Sequence, residues 1–408
     1  MRSPSIENKK NVNSNRQFKA RISIPSSKSR ANRMLFLAAI TPGEVTLSNI
    51  PDSSDVTDML KCLKVLGLNM TTPTHGQLVI HNSFPECEKE SDQPIIVECG
   101  YGGTTTRFLA ALLVLGCNTY HLEASGHMRD RPMSEMIEPL TKLGARIEHN
   151  RNGIWLLIKG PVKNKLELLE VDAARSTQFA SAVAMTMSLW NGKVSPLNLS
   201  ASEEYFKMTE DAIEQCKNHH WAIPLDFSSL SYAMGLAAIC GEVEITNFKS
   251  IDTFQPDCVF IEILKNIGAR VDFGQTPLKV SLGALSSWEG DCSGFPDLVP
   301  TLAFVLAYAD GTSKLKNLSV LQHKESDRLS EICKILSLNE ISHQVAGDTL
   351  LIQGGSFHAN KVIYEAPDDH RMIMMAALFM KVNGGGEIVN YEHVKKSYPF
   401  FFEDVIES

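Results

Sequence analysis

The 408-residue sequence has no run of eighteen or more apolar residues, so no segment reads as a membrane span. Met1 to Phe18 is polar and Asn-rich and lacks the apolar core of a secretory signal. A flexible tail over 1–18 and a cytoplasmic location are therefore expected. The nine cysteines (62, 87, 99, 117, 216, 240, 258, 292 and 333) form no Cys-x-x-Cys pair, and no His cluster stands at metal spacing. Reduced thiols and no metal are the expectation. Excess positive charge is missing too. The formal net charge is −8, which argues against a nucleic-acid partner while allowing a basic pocket inside an acidic surface. Without a Gly-x-x-x-x-Gly-Lys-Ser/Thr loop, nucleotide chemistry of the P-loop kind is disfavoured.

What is present is a repeat. At 43% hydrophobic and 21% charged residues the balance is that of a globular protein, and the length exceeds what one core usually serves, so two domains are expected. A Gly followed by a β-rich run recurs at Gly43, Gly116, Gly192, Gly241, Gly311 and Gly386, with spacings of 73, 76, 49, 70 and 75 residues. Before each Gly lies an apolar stretch opened by a polar residue: Ser29–Ile40, Thr104–Leu115, Ser176–Trp190, Ser228–Cys240, Asp297–Ala309 and Asp369–Val382. These read as buried helices with polar caps. Amphipathic helices ending at Leu66-Gly67, Leu143-Gly144 and Ile267-Gly268 follow, then hairpins such as Arg146–Ile158. The 49-residue interval leaves no room for a full hairpin, so the third repeat is expected to be truncated, its Asp211–Cys216 helix running into a short strand near Trp221. The expected domains are 25–225, and 19–24 with 226–408.

Chemistry should gather where charge meets the starts of apolar helices. Helix N-termini offer free N–H groups and partial positive charge, so Lys28 and Ser29 with Arg33, Gly102-Gly103-Thr104 with Arg107, and Ser176-Thr177-Gln178 read as mouths suited to phosphate or carboxylate. Arg129 and Arg131 precede a helix expected to start at Pro132. In the second half Asp297 is expected to cap an apolar helix, and Lys324 and Arg328 to share one helix face beside Glu325. Asp369-His370-Arg371 puts charge at the mouth of the almost wholly apolar stretch Met372–Met380. Such a set suits metal-free chemistry on multiply anionic small molecules.

Taken in order, these segments resemble the enolpyruvyl transferases that act on shikimate 3-phosphate. Pro25-Ser26-Ser27-Lys28-Ser29 with Asn32-Arg33, Gly102-Gly103-Thr104 with Arg107, Arg131-Pro132, Ser176-Thr177-Gln178, Pro296-Asp297, Lys324 to Arg328, Asp369-His370-Arg371 and Lys396-Ser397-Tyr398-Pro399 carry the likeness across nearly the whole chain. The resemblance implies an α/β fold, a two-domain inverse α/β barrel of six βαβαββ-type repeats, the domains closing over a cleft. It implies contacts to shikimate 3-phosphate from Lys28, Ser29, Arg33, Ser176, Thr177, Gln178, Ser202, Tyr205, Asp297 and Lys324. Contacts to phosphoenolpyruvate are implied from Lys28, Gly103, Arg131, Gln178, Arg328, Arg371 and Lys396. Asp297, Glu325 and Lys28 would be catalytic. No cofactor, no nucleic-acid or membrane partner, and a monomer are implied.

The sequence departs from the family pattern at Ser26, at Tyr101, at Glu203-Glu204 before Tyr205, and at Val320. Two alternatives stand beside the main reading. One is the related transferase acting on UDP-N-acetylglucosamine, whose loop cysteine only Cys117 could supply, although Cys117 reads better as a buried structural thiol. The other is a catalytically weakened metabolite-binding paralogue.

Overall fold

Six helices that are apolar on every side set the architecture, because such helices must be covered all round. They are Lys28–Ile40, Gly103–Leu113, Thr177–Met187, Phe227–Cys240, Val299–Leu306 and His370–Val382, and nearly every residue in them is buried. The computed structural model describes residues 8–151, 153–199, 203–272, 277–355 and 357–408. The chain divides into two compact units: Ser26–Pro224, which is continuous, and Met1–Pro25 with Leu225–Ser408, which is discontinuous. Each has its own apolar core. Among the described residues no helix is long and apolar enough to cross a membrane.

The full repeat is clearest in the second copy. Strand Ile95–Glu98 runs parallel to Thr119–Glu123, which pairs antiparallel with Ile154–Lys159, itself antiparallel to Arg146–Arg151. Along Thr119–Glu123 the alternation buries Tyr120 and Leu122 against the buried helix. The amphipathic helix Ser134–Lys142 covers the sheet with Met136 and Leu140. It stops at Gly144, whose φ of +96° is open to glycine at little cost.

The third repeat is truncated as its spacing predicts. Leu168–Asp172 and Lys193–Leu197 form a parallel pair with no third strand among the described residues. Helix Glu203–Gln215 leads to the short strand His220–Ala222, which joins Val45–Ser48 of the first repeat. Lys193 donates its amide to Glu167 at 2.8 Å and Leu197 accepts from Ala173 at 2.9 Å, so alternation turns Val194 and Pro196 to the open edge. Pro196 has no N–H, which blunts that edge against further pairing.

Of the tail expected over residues 1–18, residues 1–7 lie outside the described residues, and the remainder is ordered structure instead. Lys9–Val12 is a strand, antiparallel to Gly386–Val389. The sixth repeat has no hairpin of its own, and this strand takes the position that a hairpin strand fills elsewhere. Phe18–Ile22 pairs with Gly241–Ile245 in the same unit. Sequence alone hides the first of these strands, because only Val12 of its four residues is buried.

Candidate functional site

Three buried helices of the continuous unit pack on one another, and side-chain bonds tie their N-termini together. Lys28 begins the first, which Ser27 caps by accepting from the Arg30 amide at 3.4 Å. Its ammonium lies 3.1 Å from Asp55, and both side chains are nearly enclosed. Asp55 in turn reaches the second helix start, where its carbonyl accepts from the Thr105 hydroxyl at 3.0 Å. A Cβ on Gly102 would stand 2.7 Å from the Asp55 carboxylate, and one on Gly103 would stand 2.5 Å from Nη1 of Arg131. Glycine at both positions is thus a matter of space. At the third start, Gln178 donates to Thr104 at 2.9 Å and accepts from Arg107 at 2.7 Å, while Ser176 accepts from Arg107 at 3.1 Å. Burial, then Arg131, pull Arg107 well below its ordinary value.

Not every expected residue faces this mouth. Arg33 is 2% exposed. Its guanidinium donates to Thr209 at 2.8 Å, to the Ser29 carbonyl at 2.9 Å and to the Tyr205 carbonyl at 3.0 Å. Burial, with Arg30 adding to it, lowers Arg33 to about 9. Arg129 is exposed and pairs with Glu123, leaving Arg131 as the arginine at Gly103. The helix after it begins at Ser134 rather than Pro132. Tyr101 is exposed and packs near Gly126. Cys117, read as buried, is exposed, its amide donating to Glu88 at 2.8 Å. Ser202 lies outside the described residues.

In the discontinuous unit the acids and cations interlock. Asp297 does not cap its helix: Leu298 holds the cap position, and the Asp297 carboxylate turns to Arg328 at 2.8 Å and Arg371 at 2.9 Å. Lys324 stands 3.6 Å from the same carboxylate. Lys324 is not helical, since the helix begins at Arg328, so the two cations meet at Asp297 across a bend rather than by helical spacing. Arg328 also holds Asp369 at 2.7 Å. Burial would lower Arg328, but Asp369 and Asp297 outweigh it and raise the group. Burial likewise opposes charge on Asp369, and Arg328 overcomes it to leave that carboxyl low. Glu325 sits between Lys396 at 2.7 Å and His370 Nδ1 at 3.1 Å.

Glu325, Asp369 and His370 bring ligand atoms within 4.8 Å of one another. Their oxygens are already engaged by Lys396, His370, Arg328 and Ser326. That set suits internal cations better than a metal ion. Asp55 and Asp257 are buried partners that the sequence reading missed. Each lies in the first turn of a helical segment, where an acid is ordinary.

The arrangement offers cationic helix mouths to anions and keeps two carboxylates, Asp297 and Glu325, paired with cations. The chain matches the family described as EPSP synthase (3-phosphoshikimate 1-carboxyvinyltransferase) over residues 12–219 and 213–405. A 3-phosphoshikimate 1-carboxyvinyltransferase from Syntrophobacter fumaroxidans is 32% identical, covering 95% of this chain and 96% of its own. One from Thermococcus kodakarensis is 31% identical, covering 95% and 97%. Among solved structures, EPSP synthase from Acinetobacter baumannii superposes with a TM-score of 0.78 at 22% identity, over 97% of this chain and 96% of that one. The enolpyruvyl transferase NikO from Streptomyces tendae gives 0.73 at 13%, over 97% and 96%. These two show the mixed α/β, two-domain fold.

Proposed function

The chain belongs to the EPSP synthase family, and from that membership we propose how its residues divide the work. The enzyme transfers the enolpyruvyl group of phosphoenolpyruvate to the 5-hydroxyl of shikimate 3-phosphate and releases phosphate, a step of aromatic amino acid biosynthesis. The observation that carries the residue assignment is the clamp on Asp297, whose two oxygens face Arg328 and Arg371. A carboxylate so held is fixed in place as a proton acceptor, beside cations that also suit the substrate carboxylate.

In this reading Asp297 takes the proton of the attacking 5-hydroxyl as its oxygen bonds to the central carbon of phosphoenolpyruvate. Glu325 gives a proton to the methylene carbon, which becomes a methyl group. The C–O bond to phosphate in the tetrahedral adduct then breaks, phosphate leaving with the proton held by Asp297, and the methyl returns a proton to Glu325 to restore the double bond. Lys28, Ser29, Arg33, Ser176, Thr177, Gln178 and Tyr205, with Ser202, serve shikimate 3-phosphate in the continuous unit. Asp297 and Lys324 serve it in the other. Lys28, Gly103, Arg131 and Gln178, and separately Arg328, Arg371 and Lys396, serve phosphoenolpyruvate. Arg33 acts from behind, through the Tyr205 carbonyl it holds. We place the enzyme in the cytoplasm, as a monomer needing no cofactor, metal, nucleic acid or membrane.

Separate Michaelis constants test the division. Ser176→Ala is expected to raise KM for shikimate 3-phosphate and Arg371→Lys to raise KM for phosphoenolpyruvate; the reverse pattern would overturn the assignment. Gly103→Ala gives a sharper case. Its methyl displaces Nη1 of Arg131, the far end of a flexible side chain rather than backbone, so the cost in stability should be small. One charged hydrogen bond to phosphoenolpyruvate is lost, worth roughly 1.5–3 kcal/mol, so its KM should rise at least about tenfold. An unmoved KM would remove Arg131 from the set.

A further inference from the structure

Asp257 lies in the turn Pro256–Cys258 that leads into helix Val259–Ile267 and is 3% exposed. The reaction as assigned above does not use it. One carboxyl oxygen accepts from the Ser228 hydroxyl, and the other is enclosed with no hydrogen-bond partner. Ser228 also accepts from Nη2 of Arg371 at 3.2 Å, and the same nitrogen lies 2.9 Å from Asp297. A chain runs from buried acid to hydroxyl to guanidinium to the clamped carboxylate.

The groups facing Asp257 come from three helices. Arg371 opens His370–Val382, Asp297 precedes Val299–Leu306, and Asp226 caps Phe227–Cys240. Burial pushes the Asp257 carboxyl up to about 7, Asp297 and Asp226 push the same way, and Arg371 and the Ser228 hydroxyl oppose them. Arg371 thus has one carboxylate, Asp297, at contact distance, and a second acid one hydroxyl away whose charge depends on its surroundings.

We propose that Asp257 is a positioning residue for the phosphoenolpyruvate carboxylate: as a neutral acid it aims Arg371 through Ser228, and as a carboxylate it draws that guanidinium's charge away from the substrate. The inference rests on the assignment of Arg371 to phosphoenolpyruvate. By reciprocity, an anion bound at Arg371 favours the proton on Asp257, and the proton on Asp257 favours the anion. Affinity should therefore weaken as pH rises through neutrality.

The test is KM for phosphoenolpyruvate in the wild type and in Asp257→Asn, from about pH 6 to about pH 8.5. The amide keeps the shape, accepts from Ser228 and cannot ionise. The substrate's own ionisations cancel in the ratio of wild type to variant, which is expected to rise about tenfold, a coupling of about one pK unit. A flat ratio would overturn the proposal, since a merely structural role gives no pH dependence. Ser228→Ala is the second variant: it should raise KM at every pH with kcat nearly kept, and an unchanged KM would remove the relay. Arg371→Lys separates the two levels. If it raises KM while the ratio stays flat, only the Asp257 role fails; if it leaves KM unmoved, the Arg371 assignment fails and the inference with it. Unfolding gives a readout without substrate. A carboxyl whose folded value is raised contributes stability at low pH that is lost as pH climbs to about 7. Asp257→Asn should therefore gain on the wild type between about pH 4 and about pH 7, and a constant difference in Tm would contradict a raised Asp257.

Discussion

Lys28→Ala is expected to lower kcat by at least about a thousandfold, the equivalent of about 4 kcal/mol of transition-state stabilisation. The ammonium stands at the start of a helix, where the backbone adds to its field, and among the described residues Asp55 at 3.1 Å balances it. Alanine keeps the helix but strands a buried carboxylate, so a loss of thermal stability should accompany the loss of rate. The double variant Lys28→Ala with Asp55→Ala separates the two effects. It should recover the stability and none of the activity. Recovery of turnover in the double variant would show that Lys28 only neutralises Asp55.

The second large effect is Asp297→Asn, with a different kinetic signature. Replacing a general base by an amide of the same shape should cut kcat by about a hundredfold to ten-thousandfold. KM for phosphoenolpyruvate should not rise with it. Arg328 keeps its partner Asp369 at 2.7 Å, and Arg371, relieved of a competing carboxylate, becomes freer for an anion. Steady-state kinetics with both substrates varied will show the split. A raised KM with kcat kept would make Asp297 a binding residue and return the base to another group.

How far the sequence could reach follows from what each residue needs. The repeat, the buried helices and the truncated third copy were legible because they are written in periodicity and spacing, and the strand His220–Ala222 confirms the missing hairpin. The cationic helix mouths were legible too, since charge at the start of an apolar helix is unusual. The roles of Asp297 and Glu325 came only from family resemblance. Partners far apart in the chain were not legible. Nothing local shows that Thr209 and the Tyr205 carbonyl consume the donors of Arg33, or that Asp55 and Asp257 sit under Lys28 and Arg371 rather than serving helix dipoles. Lys9–Val12 was missed for the same reason: a mostly polar strand is defined by its partner Gly386–Val389 at the other end of the chain.

The two alternatives are tested by different observations. Cys117 is exposed, and its thiol is raised by partial desolvation and by Glu88, the wrong direction for a reactive thiolate. The UDP-N-acetylglucosamine reading therefore loses its one residue. A weakened paralogue would retain the helix mouths and lose turnover.

The most direct measurement is release of inorganic phosphate by the purified protein. We predict steady release that requires shikimate 3-phosphate and phosphoenolpyruvate together, stops when either is withheld, and disappears in Lys28→Ala and Asp297→Asn. Binding of both compounds without phosphate release, by protein that is folded and wild type, would contradict the account.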